Sequence, residues 1–138
     1  MRGKTLVFTF IIGISLAFPA AAQNAMKYGG GDKPSVTIDL TAKNIAFHAP
    51  NMKNWNNTLT VPPGTTVIVN FVNRDSGVPH NFSVYQSSAA KKVIFKGRII
   101  RGPDKITYTF VSPDKPGTYF FRCDVHPAIM NGAFIVKK

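Results

Sequence analysis

The chain has 138 residues, 17 basic and 6 acidic, for a net charge of +11, with three histidines and one cysteine. That length fits one domain with a real hydrophobic core. A lone cysteine excludes an internal disulfide framework, and the positive balance points away from basic partners.

The first segment reads as a leader. Arg2 and Lys4 precede an apolar run from Leu6 to Phe18, and Pro19-Ala20-Ala21-Ala22 offers an A-x-A pattern. These are the marks of a signal peptide over residues 1–22, cut after Ala22. The apolar run of 13 residues falls short of the ~20 that span a bilayer. Stable membrane insertion is therefore not expected, although a retained leader would act as an anchor. The mature chain is expected to be periplasmic or otherwise exported, which argues against nucleic acid as a partner. Without Arg2 and Lys4 it keeps 15 basic and 6 acidic residues, a net charge of +9.

Residues 23–34 contain Gly29-Gly30-Gly31 and Pro34 and read as a flexible lead-in. From residue 35 to 138 a single domain is expected, and its signals are those of strands. Val36 to Leu40 alternates apolar and polar residues. Ile45-Ala46-Phe47 is a short second run, and Asn51 to Asn57 reads as a loop, with Trp55 in it as a packing residue. Leu59-Thr60-Val61 meets the turn Pro62-Pro63-Gly64. Thr65 to Asn73 is a long β-branched run with Val67, Val69 and Phe71 on one face. Phe82 to Tyr85 and Ile106 to Phe110 are further strands, and a short helical turn is expected over Ser87 to Val93. Ser112 to Gly117 is a turn, Thr118 to Arg122 runs into Cys123, and Gly132 to Val136 closes the chain. Short strands between Pro, Gly and Asn turns predict an all-β fold, a Greek-key β-sandwich of about seven to eight strands.

Six basic residues lie close together: Lys91, Lys92, Lys96, Arg98, Arg101 and Lys105, with Asp104 the one acid among them. Such a cluster suits an acidic partner or an anionic surface, and equally a plain solvated face.

The chemistry concentrates in Cys123-Asp124-Val125-His126-Pro127-Ala128-Ile129-Met130 and in Gly77-Val78-Pro79-His80-Asn81-Phe82. Export places a free thiol in an oxidising compartment, where it needs burial or a metal. One thiolate, two imidazoles and one thioether are the ligand set of a mononuclear electron-transfer copper site. Soft sulfur suits Cu(I), and imidazole suits both oxidation states. Zinc accepts the same Cys and His donors, and a buried inert cysteine is the reading without metal. His48 and Met52 have no cysteine or third partner nearby and are not expected to bind metal.

These two segments, with Gly117 to Arg122 before the cysteine and Pro62-Pro63-Gly64-Thr65-Thr66-Val67, resemble the cupredoxin (blue copper) family, nearest to the plastocyanin and amicyanin group. The resemblance covers most of residues 36–138. It implies a cupredoxin-like sandwich holding one type 1 copper, which cycles between Cu(I) and Cu(II). His80, Cys123 and His126 would be the equatorial ligands and Met130 a long axial ligand. His126 would be the ligand nearer solvent, and Asn81 would tie the His80 loop to the Cys123 loop. The spacing of His126 and Met130 is one residue longer than in amicyanin and one shorter than in plastocyanin. Asp124 departs from the family, which favours a small neutral or hydroxyl residue after the cysteine. Close to the metal, its carboxylate would favour Cu(II) and lower the potential.

The function implied is that of a monomeric carrier of single electrons, and not of an enzyme. Its partners would be redox proteins, a donor and an acceptor, with acidic docking surfaces matching the basic cluster. Val78, Pro127, Ala128 and Ile129 would form the apolar rim around His126. A copper chaperone or storage protein of the same fold is the alternative. Its usual Met- and His-rich tracts are missing, since the mature chain has only Met26, Met52 and Met130 with three histidines. Multicopper catalysis needs more histidines than that, commonly in His-x-His pairs.

Overall fold

A computed structural model of the chain describes residues 34–50, 52 and 57–138. The expected leader, the lead-in before Pro34, and Trp55 lie outside the described residues. Eleven strands are formed among them: β1 Ser35–Ala42, β2 Phe47–His48, β3 Thr58–Val61, β4 Thr66–Asn73, β5 Pro79–His80, β6 Ser83–Tyr85, β7 Val93–Lys96, β8 Ile100–Arg101, β9 Asp104–Val111, β10 Gly117–Arg122 and β11 Asn131–Val136.

One sheet has the order β2-β1-β4-β9 and the other β3-β11-β10-β6-β7. β4 lies inside the first sheet because its residues satisfy both neighbours. It runs parallel to β1 and antiparallel to β9 over its whole length, from Thr66 to Asn73. Its β-branched residues favour the extended backbone, and period 2 sends Val67, Val69 and Phe71 into the core with no exposed surface. β10 holds the equivalent place in the second sheet, between β11 and β6.

The sandwich agrees with the reading of the sequence. Eight strands have three or more residues, and β2, β5 and β8 have two each. Those pieces are too short for alternation to register. The segment expected to make a helical turn does not. Ala90 N–H bonds Ser87 C=O at 3.0 Å and Gln86 N–H bonds Lys92 C=O at 3.0 Å, which makes it the connection of a β6–β7 hairpin. Ala90 takes φ 51°, a left-handed value that no helix continues through. Val93, placed at the end of that turn by its sequence, instead begins β7.

Aromatic side chains join the two sheets. Phe110 of β9 stacks on Phe95 of β7 at 4.6 Å between ring centres and meets Phe134 of β11 at 6.0 Å. Phe47 contacts Phe71, Phe82 and Phe121 at 5.6–6.4 Å. Phe71, Phe82, Phe121 and Phe134 are fully buried. Removing each from water contributes about 1.5–3 kcal/mol, more than the ~0.5–1.5 kcal/mol that ring geometry adds. Burial therefore dominates this framework, and pair geometry refines it. Phe82 and Phe121 lie two residues from His80 and Cys123, so this core is also the floor of the site.

Candidate metal centre

His80 is the last residue of β5, which pairs with β8 in register Pro79↔Arg101 and His80↔Ile100. The turn before it passes through Gly77 at φ 74°, a conformation glycine adopts without steric cost. Cys123 follows β10 directly, and Met130 directly precedes β11. Because Arg122 pairs with Asn131, the eight residues from Cys123 to Met130 form one loop closed by strand register. Within it Cys123 N–H donates to Met130 C=O at 2.8 Å and Met130 N–H to His126 C=O at 2.9 Å. The backbone of all three sequence-predicted ligands in this loop is thus fixed before any side chain is considered.

The side chains of His80, Cys123 and His126 converge. Cys123 Sγ lies 3.7 Å from His80 Nδ1 and 3.9 Å from His126 Nδ1, and the two Nδ1 atoms are 3.2 Å apart. The centre of that near-equilateral triangle, edge over √3, is about 2.1 Å from each corner, a usual transition-metal bond to nitrogen or sulfur (~2.0–2.3 Å). These are the only His, Cys, Asp or Glu atoms among the described residues that gather in this way. Cys123, His80 and Met130 have no exposed surface, whereas His126 is half-buried. The donor set is soft and nitrogenous, so it suits copper or zinc and not calcium or magnesium. His48, by contrast, is exposed and pairs with Lys43 C=O at 3.2 Å.

Asn81 links the two loops. Asp124 N–H donates to Asn81 Oδ1 at 2.7 Å, and Asn81 Nδ2 donates to Asp124 Oδ2 at 2.9 Å and to Gly97 C=O at 2.9 Å. The Asp124 carboxylate also accepts from Ser83 Oγ at 2.7 Å, Tyr85 Oη at 2.5 Å and Arg122 Nε at 3.0 Å. Arg122 lies over the Tyr85 ring at 4.6 Å. Burial alone would raise the pKa of Asp124, but the bonds from Tyr85, Asn81, Ser83 and Arg122 prevail and lower it to about 2. Asp124 is therefore a carboxylate that joins strands and loops, with its charge paired to Arg122.

Asp75 went unnoticed in the sequence. Its Oδ2 lies 2.9 Å from His80 Nε2, the ring nitrogen turned away from Cys123. Its carboxylate also accepts from the backbone amides of Asn44 at 2.6 Å and Ile45 at 2.9 Å. Burial opposes ionisation, but these amide bonds and the one from His80 hold the carboxyl below its ordinary value. Asn73-Arg74-Asp75-Ser76-Gly77 reads as an ordinary turn, and Asn44 is 31 residues away, so no spacing rule could flag the contact. The available signal was an acid five residues before a suspected ligand.

Auracyanin A, a blue copper protein from Chloroflexus aurantiacus, is 25% identical over 75% of this chain and 100% of its own, with a TM-score of 0.60. Dithionite-reduced auracyanin from Roseiflexus castenholzii is 25% identical over 76% and 99%, with a TM-score of 0.61. Rusticyanin from Thiobacillus ferrooxidans is 25% identical over 75% and 77%, with a TM-score of 0.61. A search of curated protein sequences found no match. His80, Cys123, His126 and Met130 are arranged as a type 1 copper site. The family model of the cupredoxin-like domain matches residues 9–136, and this chain belongs to that family.

Proposed function

We propose that the chain is an exported carrier of single electrons, with one copper ion held by His80, Cys123, His126 and Met130. The observation that carries this reading is the Cys123–His80–His126 triangle, with edges of 3.2–3.9 Å. Copper bound there supplies a one-electron Cu(II)/Cu(I) couple. The chain's own residues supply rigidity. The loop bonds from Cys123 to Met130 and from Met130 to His126 keep the donors in place whichever oxidation state is present. That favours fast transfer, because little has to move with the electron.

Full burial of Cys123 and His80 leaves His126 as the path to the surface. Pro127, Ala128 and Ile129 beside it are exposed, and Val78 is half-buried, which supports a small apolar docking rim for transient redox partners. All six residues of the basic cluster are exposed, which supports steering towards acidic surfaces. No helix among the described residues is long and apolar enough to cross a membrane. Export, cleavage after Ala22, a monomeric state and the absence of substrate chemistry are parts of the same proposal.

The test is optical and EPR spectroscopy of the copper-loaded mature protein, with cyclic voltammetry. An intense thiolate-to-Cu(II) band in the visible, lost in Cys123→Ala, and a reversible one-electron wave are expected. A colourless Cu(II) form that exchanges copper readily would favour the chaperone or storage reading. Copper binding unchanged in Cys123→Ala would refute the assigned site.

A further inference from the structure

Two consecutive residues without glycine's freedom, Asn44 and Ile45, both take φ 54°. They form the tight β1–β2 turn, closed by paired bonds between Lys43 and Ala46 at 3.0 and 3.2 Å. Asn tolerates this region, but for a β-branched isoleucine it is costly. The outcome of the turn is that two successive amide N–H groups point at one carboxylate, that of Asp75.

Asp75 is fixed from its other side as well. Its own N–H bonds Asn73 Oδ1 at 3.0 Å. Asn73, fully buried, donates to Val78 C=O at 2.8 Å and Ile100 C=O at 3.0 Å. Gly102 packs so closely that a Cβ there would collide with Asp75 C=O and sit 2.7 Å from Asn73 Oδ1. The turn, the Asn73 side chain and the Gly102 backbone together hold one carboxylate 2.9 Å from His80 Nε2.

We propose that Asp75 is a positioning residue of the metal centre: it holds His80 as the Nε2–H tautomer with Nδ1 free to bind, and it strengthens that imidazole as a donor. This rests on the copper reading above. A carboxylate acceptor fixes the tautomer, because an ionised oxygen can only accept and Nε2 must then carry the proton. Partial negative charge passed to the ring favours the higher oxidation state, so Asp75 lowers the reduction potential of the centre. The strained turn holds the carboxylate still, since two amide donors keep it from rotating away.

Two measurements decide it. Long-range proton–nitrogen NMR of the metal-free wild-type protein at neutral pH should find His80 protonated on Nε2, with slow exchange of that proton. His80 protonated on Nδ1 in that sample would overturn the proposal. Copper-loaded Asp75→Asn should keep its visible band but bind Cu(II) about 10- to 100-fold more weakly. Where Cu(I) affinity is spared, each tenfold loss raises the potential by about 59 mV. Unchanged potential and affinity, even with a lowered melting temperature, would make Asp75 merely structural and refute the proposal. A wild-type protein lacking the visible band would sink the copper reading, while the metal-free NMR result would still decide the Asp75–His80 pairing.

Discussion

Asp124 and Asn81, 43 positions apart, exchange two hydrogen bonds: the Asp124 amide donates to Asn81 Oδ1 at 2.7 Å, and Asn81 Nδ2 donates to Asp124 Oδ2 at 2.9 Å. The loop that starts at Cys123 and the strand end that carries His80 are thereby held as one unit. A hydroxyl after the cysteine could accept from Asn81. It could not also hold Ser83, Tyr85 and Arg122, as the two carboxylate oxygens do.

Asp124→Ala leaves the backbone bond to Asn81 and removes the acceptor of four side chains. The carboxylate is 11% exposed and Arg122 25%, so the cost should lie below the 3–5 kcal/mol of a fully buried broken pair, at about 2–3 kcal/mol. Urea unfolding of the metal-free protein measures it. Because Asp124 is paired with Arg122, Asp124→Ser should change stability more than reduction potential, and a large shift in potential with unchanged stability would contradict this.

The same carboxylate gives an acid limb. Its pKa is lowered to about 2 in the folded chain, against an ordinary carboxyl value of 3.8. The unfolded chain therefore takes up this proton first as pH falls. The stabilisation is complete above about pH 4 and is lost as pH drops through about 2. Unfolding of wild type against Asp124→Asn across that window should show the difference between them shrinking as pH falls.

The candidate ligands were legible because three of them fall within eight residues, bounded by strands with clear alternation. Asn81 was legible because it adjoins His80. Asp75 was not, since its partners Asn44 and Ile45 reach it only when β1 and β4 lie side by side. The role of Asp124 was half legible: its position marked it as unusual, but three of its four side-chain partners come from β6 and β10. Seen in the sequence alone, a carboxylate beside a metal ligand suggests an effect on the metal. Its actual partners show that it also organises the scaffold. The hairpin at Ser87 to Val93 is hidden in the sequence because Ala and Lys favour helix locally, and pairing of β6 with β7 overrides that preference.

Gly132 is the second residue of β11, opposite Phe121 and two residues after Met130. A Cβ at this position would overlap Asn57 C=O and come within 2.6 Å of the Phe121 ring. Neither the backbone nor a fully buried ring can yield freely. Gly132→Ala should therefore destabilise by about 1–3 kcal/mol, and it should broaden the visible band by disturbing the strand that anchors Met130. Thermal unfolding and absorption spectra check both.

Tyr108 gives an alkaline limb. It is 4% exposed, and its hydroxyl donates to Arg98 C=O at 2.7 Å. Burial pushes its pKa well above the ordinary 10. The unfolded chain ionises first as pH rises, so the folded state loses stability above about pH 10. Tyr108→Phe should be less stable than wild type at neutral pH, and the gap should narrow above pH 10. Guanidinium unfolding at pH 8 and pH 10.5 distinguishes this from a pH-independent loss.

Ile129 is 62% exposed and lies three residues from the half-buried His126. If electrons leave through His126, the closest approach of two copies is through this face, and self-exchange between reduced and oxidised protein reports on it without any natural partner. Each copy is strongly positive, so encounter is opposed at low salt and eased when the Debye length falls from ~30 Å at 0.01 M to ~10 Å at 0.1 M. Self-exchange should therefore speed up with ionic strength. Ile129→Lys should leave the visible spectrum and melting temperature unchanged, because the side chain packs little. It places a further positive charge in both copies where they meet, and should slow self-exchange by about tenfold or more at low salt. NMR line broadening in mixtures of the two oxidation states measures the rate. An unchanged rate would move the electron path away from His126.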